Sequence, residues 1–589
     1  MAFTFRILAL TLSLALTSVW AKTDAGAQLA NVAEKYFQDS LALNPLEGTQ
    51  VTGDAKYEDK LDIGIAPAHI AKVKALMLRV QGELKRIDKN KLSAADRLTY
   101  DLLAEKMRDE LEGVRYPTQL MPINQYGGVP VYVAQFGSGK QIQPLKTVKN
   151  YENFLKRLEK LPEWADQAIA NMRLGMKQGI VQPKILIERS LPAIKALTEK
   201  DASKSVFNLA ITVMPADFSA EDRARLTEAY RNSIATKLQP AMQRLYDFLE
   251  KEYLPKGRAS SGIDALRFGK DYYAYAVRHY TTTSMNPAQI HELGLKEVAR
   301  IRSEMEKIQA HYQFKGSLTE FLKWADGDPQ FKPFKSETDV LDAYAELNKK
   351  IMAKLPDLFG RAPKAPLEIR PEPELTRATA SDHYSSPAVD GSRPGVFYAV
   401  IEDAAKYSTT GMTTLFLHEG QPGHHYHIAI QQELPLPSFR KHGWFTAYGE
   451  GWALYAETLG HEMGLYTDPN AYLGHLNDEL LRAVRLVTDT GLHSKGWTRE
   501  QSIQYMMDTQ GYSESESRRA TERYMAWPGQ ALAYKIGALK IQELRARAKQ
   551  KLGDKFSLKA YHDLVLADGA LPLTILEAKV DRWIADQAK

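Results

Sequence analysis

The sequence predicts a mainly α-helical protein that carries one small β-sheet. Apolar residues recur every three or four positions over residues 28–111, 151–177, 220–253 and 287–311, a spacing typical of helices that bury one face. The segment GVFYAV, Gly395 to Val400, has instead the composition of a short strand. The chain has 589 residues, of which 44% are hydrophobic and 25% charged. These ordinary globular fractions exclude a disordered or collagen-like chain.

Two segments depart from the helical pattern. Residues 121–144 contain four glycines among β-branched and aromatic residues, which predicts a long loop or an irregular hairpin. Residues 355–374 contain five prolines that a regular helix should not accept: Pro356, Pro363, Pro366, Pro371 and Pro373. We therefore predict a junction here, between an N-terminal helical region (22–355) and a catalytic region (356–589) that together form one body.

The first 21 residues have the features of a secretory signal peptide. Arg6 precedes an apolar run over residues 7–19, and Val19 and Ala21 suit a signal-peptidase site with cleavage after Ala21. The run is too short for an ordinary membrane span, although an uncleaved N-terminal anchor is the alternative. We expect a periplasmic or secreted protein with no membrane association after cleavage.

Charge and cysteine content exclude several classes of function. Lys and Arg number 77 against 72 Asp and Glu, a formal charge of +5 that is too small to indicate a nucleic-acid partner. The sequence contains no cysteine, so disulfides, thiolate metal sites, a cysteine nucleophile and a lipoprotein anchor are not expected. Any metal must then be held by histidines and carboxylates.

Histidines concentrate in one part of the chain. Eight of the fourteen lie between His418 and His493, with a centre in LHEGQPGHHYH, Leu417 to His427. His418 and Glu419 begin like the zinc-peptidase motif H-E-x-x-H, in which two histidines on one helix face share a zinc ion and the Glu activates a bound water. Here the fourth residue after His418 is Pro422, which cannot bind a metal.

The second histidine ligand is therefore His424 or His425. Neither lies beside His418 in an unbroken helix, because the first points to another face and the second lies about 10.5 Å further along the axis. Pro422 and Gly423 permit a local distortion. A bulge of two extra residues would bring His424 to the position that a +4 histidine normally takes, so we favour His424 over His425.

A carboxylate ligand is expected further along the chain. YGEGWALYAE, Tyr448 to Glu457, is a predicted helix on which Glu450 and Glu457 share one face. We predict Glu450 as the third ligand and Glu457 as the residue that orients a ligand histidine. The alternative is an ordinary solvated helix face.

These residues resemble a known family. HEGQPGHH followed by EGWALYAE looks like the bacterial domain-of-unknown-function family 885, which is grouped with zinc metallopeptidases related to thimet oligopeptidase, neurolysin and carboxypeptidase Taq. Those relatives carry H-E-x-G-H, then a ligand Glu followed seven residues later by a second Glu. The resemblance covers most of the mature chain, and it implies a two-lobed, neurolysin-like helical zincin that holds one Zn²⁺ through His418, His424 and Glu450.

The resemblance also implies a mechanism. Zinc would activate a water, Glu419 would take its proton, and a further donor would stabilise the oxyanion. We name His493, Tyr524 and Tyr534 as candidates for this donor, with packing or structural hydrogen bonding as the alternative for each. On a helix, His493 would pair with Asp489, four residues earlier.

Other residues have weaker assignments. Arg523 is a candidate for binding a substrate carboxylate, or else a structural or surface residue. The predicted strand with Phe397 and Tyr398 either pairs with an extended substrate or packs in the core. The remaining histidines of the cluster are expected to be structural or at the surface: His427, His442, His461 and His475.

The function predicted is that of a zinc metallopeptidase of the oligopeptidase or carboxypeptidase type, with a peptide as its substrate. Two alternatives stay open. One is a zinc hydrolase that acts on non-peptide amides or esters, and the other is a catalytically silent peptide-binding protein.

Overall fold

The computed structural model describes residues 24–377, 380–388, 391 and 393–589. This part of the chain is mainly helical with one small sheet, which confirms the predicted secondary-structure class. The predicted signal peptide lies outside the described residues. None of the helices that are described is both long enough and apolar enough to cross a membrane.

Fifteen described α-helices precede the sheet: α1 (Asp24–Leu43), α2 (Pro45–Thr52), α3 (Pro67–Leu84), α4 (Ala94–Gly113), α5 (Gly128–Gln135), α6 (Val148–Leu158), α7 (Leu161–Gln178), α8 (Lys184–Ala196), α9 (Leu209–Thr212), α10 (Ala220–Ser233), α11 (Gln239–Phe248), α12 (Gly269–Thr281), α13 (Pro287–His311), α14 (Leu318–Gly327) and α15 (Glu337–Leu358). Helix α13 begins where the sequence predicts it, because the Asn286 side chain accepts from the Gln289 backbone N–H and Gln289 bonds back to Asn286.

The second half contains the sheet and the remaining α-helices: α16 (Glu374–Arg377), α17 (Met412–Glu419), α18 (His424–Glu433), α19 (Ser438–Lys441), α20 (Thr446–Thr458), α21 (Pro469–Ser494), α22 (Arg499–Gln510), α23 (Glu514–Ala526), α24 (Ala533–Leu552), α25 (Leu558–Leu566) and α26 (Leu573–Ala588). The strands are β1 (Leu367–Pro371), β2 (His383–Ser385) and β3 (Gly395–Ala399).

Two predictions about prolines and loops are wrong. Residues 121–144 include helix α5, whose Pro130 lies in the first turn, where a missing N–H removes no helical hydrogen bond. Pro356 lies inside the last turn of α15, which continues to Leu358. Burial of Leu355 and Leu358 there offsets the one helical hydrogen bond that the proline removes.

The predicted strand is confirmed, and it is the central strand of the sheet. β3 runs parallel to β1 and antiparallel to β2, in the order β1-β3-β2. Its Phe397 is fully buried, with its ring 4.9 Å from that of Tyr344 on α15 and 5.4 Å from that of Phe416 on α17. The sheet therefore packs directly against the helix that ends in His418 and Glu419.

The largest apolar core contains residues from both sides of residue 355, such as Tyr344 and Trp452. A second core is built from buried residues between 61 and 253. The division of the chain at residue 355 stays a prediction.

Close packing also places the second helix of the predicted site. A Cβ added to Gly451 on α20 would lie 2.5 Å from the Cα of Gly537 on α24, and one added to Gly537 would lie 1.8 Å from the carbonyl oxygen of Ala447. Only glycines allow the two backbones to approach this closely. The contact holds the segment next to Glu450 in place.

Candidate metal centre

The two predicted histidine ligands lie on two different helices. Helix α17 ends at Glu419, and α18 begins at His424 after a four-residue turn. The turn is held by two hydrogen bonds: the backbone N–H of His425 donates to the Gly420 carbonyl (3.0 Å), and the indole N–H of the Trp452 side chain donates to the Pro422 carbonyl (2.9 Å). The predicted bulge within one helix is therefore wrong, because the first helix stops and a second one starts.

This corner brings His418 and His424 to one carboxylate. The Nε2 atoms of both histidines lie 3.7 Å from Oε2 of Glu450. Ligand atoms about 2.1 Å from a tetrahedral zinc ion are about 3.4 Å apart, so these separations fit a shared metal ion. Glu419 also contributes to the cluster, since one ligand atom each from His418, Glu419 and His424 lie within 4.8 Å of one another.

The orientation of His418 is set by a buried glutamate. Its Nδ1 lies 2.8 Å from Oε1 of Glu457, a residue with no exposed side-chain surface. Arg482 on α21 lies 3.6 Å from the same carboxylate and partly balances its charge. Because Nδ1 is bound in this way, Nε2 points toward Glu450, which is the arrangement expected for a histidine that binds a metal.

The electrostatics of the cluster favour a positive charge. Burial would lower the pKa of His418, but the adjacent carboxylates of Glu450 and Glu457 outweigh this and raise the pKa to about 10. Burial would raise the pKa of Glu450, but the neighbouring imidazoles of His418 and His424 hold it well below its usual range. A divalent cation is a charge that such a cluster can hold.

Glu419 is held by the edge strand of the sheet. Its Oε2 accepts a hydrogen bond of 3.1 Å from the backbone N–H of Tyr384 on β2. The carboxylate is half-buried and stands at the end of α17, one residue after His418. This contact aligns the carboxylate beside the candidate ligands.

His425 lies against the sheet instead. Its Nδ1 is 3.0 Å from the Tyr384 hydroxyl, and a Cβ added to Gly395 would lie 2.7 Å from the same nitrogen. Burial lowers the pKa of His425 to about 4. The structure thus brings His424, and not His425, to His418 and Glu450.

His493 has a structural environment. Its Nδ1 accepts from the backbone N–H of Ile263 and its Nε2 donates to the carbonyl of Tyr524, both at 3.0 Å, so neither nitrogen is available to an oxyanion. Asp489, its expected partner, accepts instead from the Tyr273 hydroxyl at 2.6 Å. Tyr524 is itself only 2% exposed.

Tyr534 is partly exposed to solvent. It is half-buried at the start of α24, and the guanidinium of Arg485 stands 4.6 Å from the centre of its ring. Of the three predicted oxyanion donors, Tyr534 is the one whose surroundings suit contact with a ligand. Arg523, the predicted carboxylate-binding residue, interacts with Tyr534.

The predicted pairing of a substrate with residues 395–400 does not fit the sheet. β3 has a neighbour on each side, and its Phe397 belongs to the core. A central strand has no free backbone edge for an extended chain. The edge strand nearest Glu419 is β2.

Three residues of the site were not predicted from the sequence. These are Tyr384, Arg482 and Trp444, whose indole is 44% exposed and 6.0 Å from the ring of His424. Nδ1 of His424 is covered and has no hydrogen-bond partner among the described residues, so packing against this indole helps to hold the ring. Sequence spacing offers a signal only for Arg482, which lies on the same helix as Asp478 and His475.

The fold and the site define a helical candidate metalloprotein, with two histidines and one glutamate brought together at a break between two helices. The family described as "Bacterial protein of unknown function (DUF885)" matches residues 45–580, and the chain belongs to this family. A search of curated proteins finds no match.

Solved structures share the fold. A "putative lipoprotein" from Colwellia psychrerythraea is 30% identical and superposes with a TM-score of 0.87, covering 96% of this chain and 100% of its own. A "putative lipoprotein of unknown function" from Shewanella oneidensis is 21% identical, with a TM-score of 0.73 and coverage of 94% and 99%. The second likeness shows the fold alone.

Proposed function

We propose that this protein is a zinc-dependent metallopeptidase that hydrolyses peptides outside the cytoplasm. The observation that carries the proposal is the pair of 3.7 Å separations that join His418 and His424 to one oxygen of Glu450. Two imidazoles and one carboxylate form a common ligand set of catalytic zinc, which leaves a fourth position for water or substrate.

Glu419 is the proposed general base. Bound zinc would lower the pKa of a water molecule and polarise the carbonyl that this water attacks. Glu419 would accept the proton of that water, because its carboxylate belongs to the same cluster as His418 and His424. The backbone N–H of Tyr384 orients Oε2 of Glu419, and Oε1 of Glu419 takes no part in that hydrogen bond.

We base the proposed orientation of the substrate on β2, the strand that contacts Glu419. β2 is an edge of the sheet, and its Tyr384 contacts Glu419. An extended peptide paired along β2 would pass the candidate zinc ligands, which is how an edge strand presents a backbone. We accordingly propose the two-lobed, neurolysin-like zincin architecture, with the substrate channel running past β2.

The proposed location outside the cytoplasm has two supports. The first is the predicted signal peptide, and the second is the 30% identical structure from Colwellia psychrerythraea, described as a "putative lipoprotein".

The test is a Glu419→Gln variant of the zinc-loaded protein. Zinc content would be measured by atomic spectroscopy, and hydrolysis of a defined peptide mixture by mass spectrometry. We expect retained zinc and about 10²- to 10⁴-fold slower hydrolysis, since a general base is lost. The matched control is Glu402→Gln at an exposed glutamate, which should leave both measurements unchanged.

Unchanged hydrolysis by the Glu419→Gln variant would remove this residue from the mechanism. Turnover of an ester and amide panel without turnover of peptides would replace the peptidase with the non-peptide hydrolase. Peptide binding without any turnover by the unsubstituted, zinc-loaded protein would identify a binding protein instead.

A further inference from the structure

Two arginines meet at Tyr534 without a carboxylate partner among the described residues. Arg485 on α21 places its guanidinium over the Tyr534 ring at 4.6 Å, and its Nε and Nη1 are covered without a hydrogen-bond partner. Arg523 on α23 has a covered, unpartnered Nε, while its Nη2 donates to the Gln530 amide oxygen at 3.2 Å. No ion pair joins either arginine to a described carboxylate.

Neighbouring arginines are paired. Arg482 lies 2.7 Å from Asp478, and Arg499 lies 2.7 Å from Glu522. The guanidinium groups of Arg482 and Arg499 are thus compensated by protein carboxylates, whereas those of Arg485 and Arg523 have no such partner among the described residues. Removing charge from water without a counter-charge is costly, so an anion from outside the chain would be favoured at this point.

Two helices, α21 and α24, connect the arginine pair to the candidate metal centre. Arg482 contacts Glu457, which holds His418, and Arg485 lies three residues further along α21, about 4.5 Å along the axis. Tyr534 lies three residues before Gly537, the residue of α24 that touches Gly451 beside Glu450. Arg485 and Tyr534 are therefore each about one helical turn from a residue that contacts or adjoins the site.

The same region is partly exposed to solvent. Arg485, Arg523 and Tyr534 are all half-buried. The guanidinium of Arg523 lies 5.9 Å from the ring of Trp527, which is 40% exposed and stacks at 4.8 Å on Tyr126. Exposed aromatic surface therefore lies beside Arg523.

We propose that Arg485, Arg523 and the Tyr534 hydroxyl bind the free C-terminal carboxylate of a peptide substrate. Guanidinium groups match a carboxylate in charge and in hydrogen-bond geometry, whereas an internal peptide bond offers no charge to pair. This inference rests on the proposed peptidase function. With this site, the enzyme is an exopeptidase that cleaves at a fixed distance from the C-terminus of its substrate.

The test measures binding and does not depend on turnover. Tetra- to hexapeptides of alanine and leucine, each made as the free acid and as the C-terminal amide, would be titrated by calorimetry into zinc-loaded Glu419→Gln protein. We expect the acids to bind about ten- to one-hundred-fold more tightly than the amides. Arg485→Met and Arg523→Met should each bring the affinity for acids close to that for amides.

The matched control is Arg519→Met, at an exposed arginine one turn before Arg523 on the same helix, and it should keep the preference for acids. If Arg485→Met fails to fold, Arg485→Lys keeps the charge without the planar fork and should lose part of the preference.

Equal binding of acids and amides, or no binding of acids, overturns the proposed subsite. Hydrolysis of amidated peptides by the unsubstituted enzyme would then leave the peptidase function standing. If the protein clearly prefers the free acids but hydrolyses neither the acids nor the amides, the carboxylate site stands and the proposed peptidase function fails.

Discussion

Gly423 lies directly against the carbonyl oxygen of His418: a Cβ added to Gly423 would stand 1.9 Å from that oxygen. The glycine has φ −75° and ψ −120°, and α18 begins at the next residue. This close approach turns the chain back onto the end of α17. It is the reason that His424 reaches His418 although the sequence separates them by six positions.

Gly423→Ala should therefore disrupt the site. The added methyl group must displace backbone, so we expect a loss of about 1–3 kcal/mol in the free energy of unfolding and a strong loss of zinc binding. Urea unfolding and zinc calorimetry would measure both. Gly82→Ala is the control, because nothing lies within 4 Å of its added Cβ, and it should be neutral or slightly stabilising. An alanine at 423 with normal zinc affinity would contradict this account of the turn.

Alanine variants of the adjacent histidines His424 and His425 should differ sharply in zinc binding. We expect His424→Ala to lose stoichiometric zinc, because it removes an atom that lies 3.7 Å from Glu450 Oε2. His425→Ala should keep zinc, since its ring bonds to Tyr384 and lies against β3. Metal analysis of the two purified variants makes the comparison. Equal retention of zinc by both would exclude His424 as a ligand.

Glu457 should increase the affinity for zinc through its contact with His418. Glu457→Gln keeps a hydrogen-bond acceptor at 2.8 Å from Nδ1 but removes its charge, so we expect about 10- to 100-fold weaker zinc binding. Competition with a chelating dye would measure the affinity. Glu479→Gln is a matched buried control, because Glu479 pairs with Lys535 at 2.6 Å. A similar loss in both variants would indicate a general packing effect.

Acid should destabilise the fold through buried histidines such as His493. Burial lowers the pKa of His493 from 6.5 to about 4, so between these values the unfolded chain binds a proton that the folded chain does not. The stabilising contribution is full above about pH 6.5 and is lost as the pH falls toward 4.

His493→Gln removes this titration. We expect a shallower fall in unfolding free energy between pH 6.5 and 4, together with a loss of about 1–3 kcal/mol at pH 7.5 from an unpaired backbone group. Urea unfolding at several pH values gives the slope. His311→Gln, at an exposed histidine, should leave the slope unchanged. The idea fails if the slope of the His493 variant equals that of the unsubstituted protein.

Much of the candidate site could be predicted from residue types and spacing. The HEGQPGHH segment indicated His418, Glu419 and His424, and the seven-residue spacing placed Glu450 and Glu457 on one helix face. The structure brings these residues together, whereas His493 and β3 proved to be structural. Both errors have one cause: a sequence shows which side chains lie on an element, but not which of its faces or edges is already covered.

The sequence by itself determined the helical class, the short strand and the identity of the clustered side chains, because periodicity and residue chemistry are local properties. Only the tertiary structure decided that α17 ends and α18 begins at a glycine-lined corner, that His425 turns to the sheet, and that Arg485 and Arg523 meet at Tyr534 with no carboxylate partner among the described residues. These features depend on how closely distant backbones approach, and that distance is set by packing between segments far apart in the chain.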